Sequence, residues 1–387
     1  MFARRLRTRL LGDDAVRGSL VRFEDARDAD WSSPHPAVTS PLVVGEGPLT
    51  VAWIMSPPGA NSGGHQNIFR FIRFMEDAGH TVRVYLYSTG PRYSPTEVAT
   101  LIASSSSYPD VRATIQDLPE GGLPAGIDAI VATGWETAYP SFLDPSPARR
   151  LYFVQDFEPS FYPVGSESVL AENTYRFGFH GLTAGHWLAD KLRDEYGMTT
   201  AAFDFGSDAS TYFVENTARR NEIFFYARPA TERRGFELGI MALDLVAQAR
   251  PDAVINLVGE DVRHRPIPFR YTNLRGLQVG DLNAVYNRSA AALVLSFTNM
   301  SLLPLELLGA GTIPVVNDGA NNRKVSDNPF IEYAPASPRA LADRLIALYD
   351  RADLPEHASA ASRSVASADW ALSGRQFIEA FERSMRG

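Results

Sequence analysis

The chain has 387 residues, a net charge of −8, no cysteine, and 22 Phe, 15 Tyr and 5 Trp. Such a length exceeds one ordinary core and suits two domains with extensions. Without thiols there is no disulfide framework or thiolate metal site, the acidic balance argues against a general nucleic-acid binder, and no stretch reaches the ~20 apolar residues of a membrane-spanning helix, so a soluble protein is expected.

Residues 1–49 differ from the rest. MFARRLRTRLL is basic and mildly amphipathic, and Asp13 and Asp14 interrupt it before the apolar core of a signal peptide could form. It reads as a surface helix ahead of a connector rich in proline (Pro34, Pro36, Pro41); a peripheral contact with an anionic membrane through Arg4, Arg5, Arg7 and Arg9 is the alternative. Asp28 and Asp30 stand in that connector rather than at a strand end, and are set aside as a metal site.

From Thr50 strands and helices alternate. TVAWIM is a strand, PPGANSGG a turn, and Ile68, Phe71, Ile72 and Met75 mark one face of a helix that ends near Gly79, before the strand TVRVYLY. Strands are also expected at Ala129–Ala132 and Leu151–Val154, and GFHGLTAG leads into a helix Trp187–Tyr196. A second series opens with EIFFYA, followed by a helix through Leu238, Met241, Ala242 and Leu245 and by a strand Ala253–Val258 ending in Gly259. Two doubly wound α/β units in tandem are predicted, with ligands beyond the carboxyl ends of their strands and therefore between the domains.

The most informative stretch of the second unit is SFTNMSLLPLELLGAGTIPVV. An apolar run, Ala291–Phe297, reads as a strand, Thr298–Ser301 as a loop, and Leu302–Leu308 as a helix with Ser301 as N-cap and Pro304 in its first turn. A helix start behind a parallel strand suits a phosphate, and Glu306 inside that helix suits a ribose hydroxyl. Helices Arg339–Tyr349 and Gly374–Met385 close the chain.

Three further groups could carry chemistry. Ser62, Gly63, Gly64 and His65 fall where the first strand turns into the first helix, and two glycines let backbone approach a ligand; no G-x-G-x-x-G fingerprint follows any strand. Arg228 comes directly after EIFFYA, with Arg233 and Arg234 just beyond, so guanidinium groups at a strand exit can neutralise a diphosphate and stabilise a departing phosphate without a metal. In VQDFEP, Asp156 and Glu158 can orient a hydroxyl or accept a proton, and His180 of RFGFH can bond the transferred sugar.

Together, the Gly-Gly loop, the arginines after EIFFYA, the strand end LVGED and the helix LLPLELLGAGTIPVV resemble retaining GT-B glycosyltransferases of family four, over about Thr50 to Gly387. Within that group, YFVQDFEPSFYPVGSESVLAENTYRFGFHGLTAGHWLADKL and FYARPATERRGFELG are similar to WsaF-like bacterial rhamnosyltransferases. The resemblance implies an N-terminal acceptor-binding domain over 50–217, a C-terminal nucleotide-sugar domain over 218–367, and a last helix, 368–387, returning to the first domain. It implies a diphosphate on Arg228 and Arg233, helped by the N–H groups of Ser301, Leu302 and Leu303, with the ribose on Glu306. The segment Gly276–Leu282, with Leu277, would line the base; Gly63 and Gly64 would approach the phosphates, and Gly259 and the Thr298–Asn299 loop would border the donor.

Two positions depart from the family pattern. Thr298 replaces the first glutamate of the family's paired-glutamate motif, eight residues before Glu306, and Gln155 replaces a histidine common before the Asp of VQD. The second change is compatible with a 6-deoxy sugar. The expected reaction is metal-independent, cofactor-free, retaining transfer of L-rhamnose from dTDP-rhamnose to a glycan or lipid-linked acceptor, by a protein that is cytoplasmic or peripheral at the inner face of the membrane. Competing expectations are a sugar-nucleotide epimerase or hydrolase of the same fold and a non-catalytic nucleotide- or glycan-binding module.

Overall fold

A computed structural model describes residues 20–59, 62–90, 93–105, 107–300 and 302–386. The basic segment 1–19, with its membrane reading, and Ser301 lie outside the described residues.

The first unit is a seven-stranded sheet in the order β3-β2-β1-β4-β5-β6-β7. Its strands are β1 Thr50–Met55, β2 Thr81–Leu86, β3 Thr114–Asp117, β4 Ala129–Ala132, β5 Arg149–Val154, β6 His180–Ala184 and β7 Thr200–Phe203, and every pairing is parallel. The second unit is a six-stranded parallel sheet, β10-β9-β8-β11-β12-β13. It is built from β8 Glu222–Ala227, β9 Val254–Gly259, β10 Thr272–Arg275, β11 Ser289–Val294, β12 Ile313–Asn317 and β13 Glu332–Ala334. The central strands β4 and β11 are buried from end to end, and β1 from its second residue onward, because helices cover both faces; hence they read as continuous apolar runs.

The central strands stand where the apolar runs place them, whereas β3, β6, β7, β10 and β13 are not expected from the sequence. Their sequences are short or polar: TIQD and TNLR have no buried residue at all, and edge strands need no apolar alternation. The strand at Ser289–Val294 ends three residues before the expected Phe297, and the helix behind it spans Leu303–Gly309. Its N-cap is Leu302, with no side-chain cap, rather than Ser301.

Each unit has its own core, and the closing helix Trp370–Arg386 belongs to the first. Its Phe377 packs among Trp53, Phe71, Phe153 and Phe203, with ring centroids 4.8–6.3 Å away. Truncating a ring so enclosed costs about 3–5 kcal/mol. Residues 20–49 add two short helices, Phe23–Asp28 and Pro36–Thr39, while Val21 and Leu49 join the same core. The two units touch where the carboxyl ends of their strands face one another, across a crevice bridged by hydrogen bonds that Asn299 donates to Asp156 and to Gln155 O.

Candidate active site

The C-terminal sheet reverses its strand order between β8 and β11, and ligands of open parallel sheets bind at such a point. Two segments flank it: Arg228–Gly235 after β8, and Leu295–Leu302 after β11. The second loop is shaped by asparagines that sequence reading missed. Ser296 N–H donates to Asn317 Oδ1 at 2.8 Å, and the side-chain amides of Asn317, Asn321 and Asn322 donate to Ser296 O at 2.9, 3.0 and 3.1 Å. The string NDGANN signals a turn; that its amides reach back across the sheet to another loop is not a local property. Arg234 Nη1 donates to Ser296 Oγ at 2.9 Å, and Phe297 N–H to Arg233 O at 3.0 Å, so the two flanking loops are tied together.

Arg228 lies between Glu260 and Tyr226. Its Nε donates to Glu260 Oε1 at 2.9 Å and its Nη1 to Tyr226 Oη at 2.8 Å. Its side chain remains 40% exposed. Gly259, next to it, has φ +128°, and a Cβ there would stand 2.8 Å from Ala227 O, so neighbouring backbone alone requires this glycine. Arg233 stacks on Phe161 of the N-terminal domain, 3.9 Å from the ring centroid. Burial, and then the charges of Arg234 and Arg228, push its pKa down, against the pull of Asp156.

Opposite these arginines is the carboxyl end of β5. Asp156 accepts hydrogen bonds from Asn299 N–H (2.7 Å) and Thr298 Oγ1 (3.0 Å), both on the C-terminal domain, and pairs with Arg233 Nε at 3.5 Å. Asn299 Nδ2 donates to Gln155 O and Ala184 O at 3.0 and 2.9 Å. Gln155 Nε2 donates to Gly64 O at 3.1 Å, which brings Gly63 and Gly64, expected in a turn but found at the start of the Gly63–Asp77 helix, to the same place. Both glycines are exposed; a Cβ on Gly63 would meet nothing, and one on Gly64 would make only ordinary contact with Gln155. The protein's own packing therefore does not require glycine there, whereas a ligand lying against the helix start would. His65 is turned inward, Nδ1 on Ser62 Oγ (2.8 Å) and Nε2 on Ser56 O (2.9 Å), and burial lowers its pKa.

Glu306 sits in the Leu303–Gly309 helix, with Tyr286 Oη 3.4 Å from its carboxyl. Burial pushes its pKa up to about 7, while the hydroxyls of Tyr286 and Tyr212 and the charge of Arg70, from the N-terminal domain's Gly63–Asp77 helix, pull it down. Arg70 itself stacks on Trp370 at 3.8 Å. Leu302 and Leu303 open the Glu306 helix, and Leu277 and Leu282, beyond Gly276 with φ +67°, pack half-buried against the C-terminal core.

Two expected site residues are not at the crevice or not free. His180 is the first residue of β6, so it stands at the amino end of the sheet beside Arg149; burial lowers its pKa. At ~3.3 Å per residue the strand carries it roughly 13 Å from Ala184, where the crevice begins. GFHGLTAG, expected only to lead into a helix, contains this strand. Glu158 is 7% exposed, and its Oε2 accepts Trp135 N–H at 2.6 Å and Tyr152 Oη at 2.8 Å. Burial and the neighbouring Glu136 push its pKa up, and its carboxyl holds a helix start rather than standing free for a sugar.

Two facing parallel sheets with this crevice have the GT-B architecture. The chain is similar to WsaF in both units: residues 221–346 match WsaF, C-terminal domain, and residues 125–184 match WsaF, N-terminal domain. The O-antigen biosynthesis protein RfbC of Myxococcus xanthus is 32% identical over 283 residues, which are 71% of this chain but 22% of that protein. Among solved structures, Anabaena HepE in complex with UDP and glucose superposes with a TM-score of 0.66 at 14% identity, over 87% of this chain and all of the other. Sucrose-phosphate synthase of Thermosynechococcus elongatus does so with 0.64 at 13%, over 87% and 98%. At such identities the structural likeness concerns the fold alone.

Proposed function

We propose that the protein transfers a sugar, L-rhamnose from dTDP-rhamnose, to a glycan or lipid-linked acceptor in the synthesis of a cell-surface polysaccharide. The observation that carries this reading is the group of three arginines, Arg228, Arg233 and Arg234, at the switch point of a GT-B fold with Gly63 and Gly64 across the crevice. The relative named for O-antigen biosynthesis supports the pathway, the neighbour solved with UDP and glucose supports a nucleotide sugar, and the likeness to WsaF supports rhamnose.

In this reading Arg228 and Arg233 hold the diphosphate, and Glu306 accepts a ribose hydroxyl. The segment from Gly276 to Leu282 borders the base, and the first N–H groups of the Leu303–Gly309 helix face the phosphates. As the bond from the sugar to the diphosphate breaks, negative charge grows on the leaving oxygen, and fixed guanidinium groups stabilise it more than they stabilise the ground state. Retention follows if the acceptor attacks from the side of the departing diphosphate, which then takes its proton. No metal is required because the arginines supply the positive charge.

The test is a thermal-shift panel of dTDP, UDP and GDP followed by turnover of dTDP-rhamnose with and without acceptor, in EDTA. Stabilisation by dTDP at the lowest concentration and acceptor-dependent transfer are expected. Turnover of donor alone would move the protein to the epimerases or hydrolases, and no stabilisation by any of the three would remove the donor assignment.

A further inference from the structure

We infer that Arg233, the Thr298 hydroxyl and the Asn299 N–H form an anion site that Asp156 fills from across the crevice in the free protein. The donor's diphosphate displaces this carboxylate when it binds. The inference rests on the nucleotide-sugar reading above and adds a competitor built into the chain.

Three donors of the C-terminal domain converge on one carboxylate of the other domain: Asn299 N–H at 2.7 Å on Oδ1, Thr298 Oγ1 at 3.0 Å and Arg233 Nε at 3.5 Å, both on Oδ2. They come from the two loops that flank the sheet's switch point, which is where a phosphate group would be received. Arg233 is the telling member. A guanidinium has five N–H donors, yet none makes a hydrogen bond among the described residues, and Nε is buried without a hydrogen-bond partner. The 3.5 Å pairing with Asp156 is longer than a hydrogen bond. Arg228 is matched by Glu260, whereas Arg234 reaches only the Ser296 hydroxyl, so positive charge at this place is in excess.

A diphosphate oxygen offers Arg233 what the distant carboxylate does not, but two anions at one guanidinium repel, and the mobile one must leave. Rotation of its own side chain would release Asp156, breaking as well the 2.8 Å bond that Oδ1 accepts from Phe157 N–H. The loop stays in register without it, since Asn299 Nδ2 remains bonded to Gln155 O and Ala184 O.

The experiment is calorimetric titration of the full chain, Asp156→Asn and Asp156→Ala with pyrophosphate, dTDP, UDP and GDP. An amide fills the same volume without competing for Arg233, so the preferred diphosphate should bind both variants about tenfold more tightly than the unaltered chain. Binding seen only in the variants supports the inference as well. Equal or weaker binding by both variants, with the unaltered chain binding, overturns this inference and leaves the donor reading standing; no binding by any of the three proteins overturns both. Should the variants not fold, a structure of the unaltered chain with bound diphosphate decides: a phosphate oxygen about 3 Å from Arg233, with Asp156 turned away, is the required result, and Asp156 still on Arg233 overturns it.

Discussion

The carboxylate of Asp156, at the end of β5, accepts a 2.7 Å hydrogen bond from the backbone N–H of Asn299, 143 residues later in the chain and in the other domain. The contact lies where the two sheets meet, beside the side chains that share the crevice. Among the described residues no three His, Asp or Glu side chains are grouped to hold a metal ion, and no helix is long and apolar enough to cross a membrane.

Arg228→Ala should lower turnover about 10²–10³-fold while weakening nucleoside diphosphate binding far less, because the charge it meets develops during bond breaking. Turnover rates and a dTDP titration of the same variant check this. Equal losses in both would make Arg228 a binding residue only.

The carboxyl of Glu306 has its pKa raised to about 7, above the ordinary 4.5. A raised acid binds more protons folded than unfolded, so its contribution to stability is complete at low pH and is lost as pH rises through about 7. Replacement by Gln should flatten the melting temperature between pH 5 and 8 and raise it at pH 8 by about 2–4 °C. The same variant should bind nucleotide more weakly at pH 8, where the native carboxylate is charged and accepts a ribose hydroxyl best. Melting curves and dTDP titrations across that range are the measurement.

Glu158→Ala leaves the Trp135 N–H and the Tyr152 hydroxyl without their acceptor. Each buried orphan costs about 1–3 kcal/mol, so urea denaturation should show a loss of about 2–6 kcal/mol. Glu158→Gln keeps an oxygen in place for both donors and should stay within about 1 kcal/mol of the native value.

His180→Asn changes a side chain at the amino end of β6, away from the crevice. Its kcat/KM should remain within about twofold of the unaltered chain, whatever the change in melting temperature. A loss of activity larger than that, with the fold intact, would return His180 to the site.

The arginines after EIFFYA and Glu306 behind the β11 loop are legible because each comes after a strand recognisable by its apolar run, and a parallel strand delivers the residues beyond its carboxyl end to one edge of the sheet. The same rule excludes His180 once β6 is known to be a strand. HGLTA lacks the branched aliphatic run of its neighbours, because glycine, threonine and alanine fit where β6 is crowded: a Cβ on Gly181 would lie 3.2 Å from Met198 and Thr200. Glu158 escapes sequence reading for a different reason. Its position beside Asp156 in sequence gives no hint that a short 3₁₀ turn, Glu158–Phe161, swings it under the Trp135–Leu143 helix.

By itself the sequence determined two doubly wound units, the order of their central strands and helices, and the segments that leave the strands' carboxyl ends. Those properties arise from apolar periodicity and turn residues within a few positions of one another. Tertiary structure alone decided that Asp156 meets Asn299 and Arg233, that three asparagines brace the Ser296 carbonyl, and that Glu306 lies near Arg70. Such pairings depend on how two separately folded sheets are set face to face, and the free energy of that docking is spread over contacts between residues remote in the chain, where no local pattern records it.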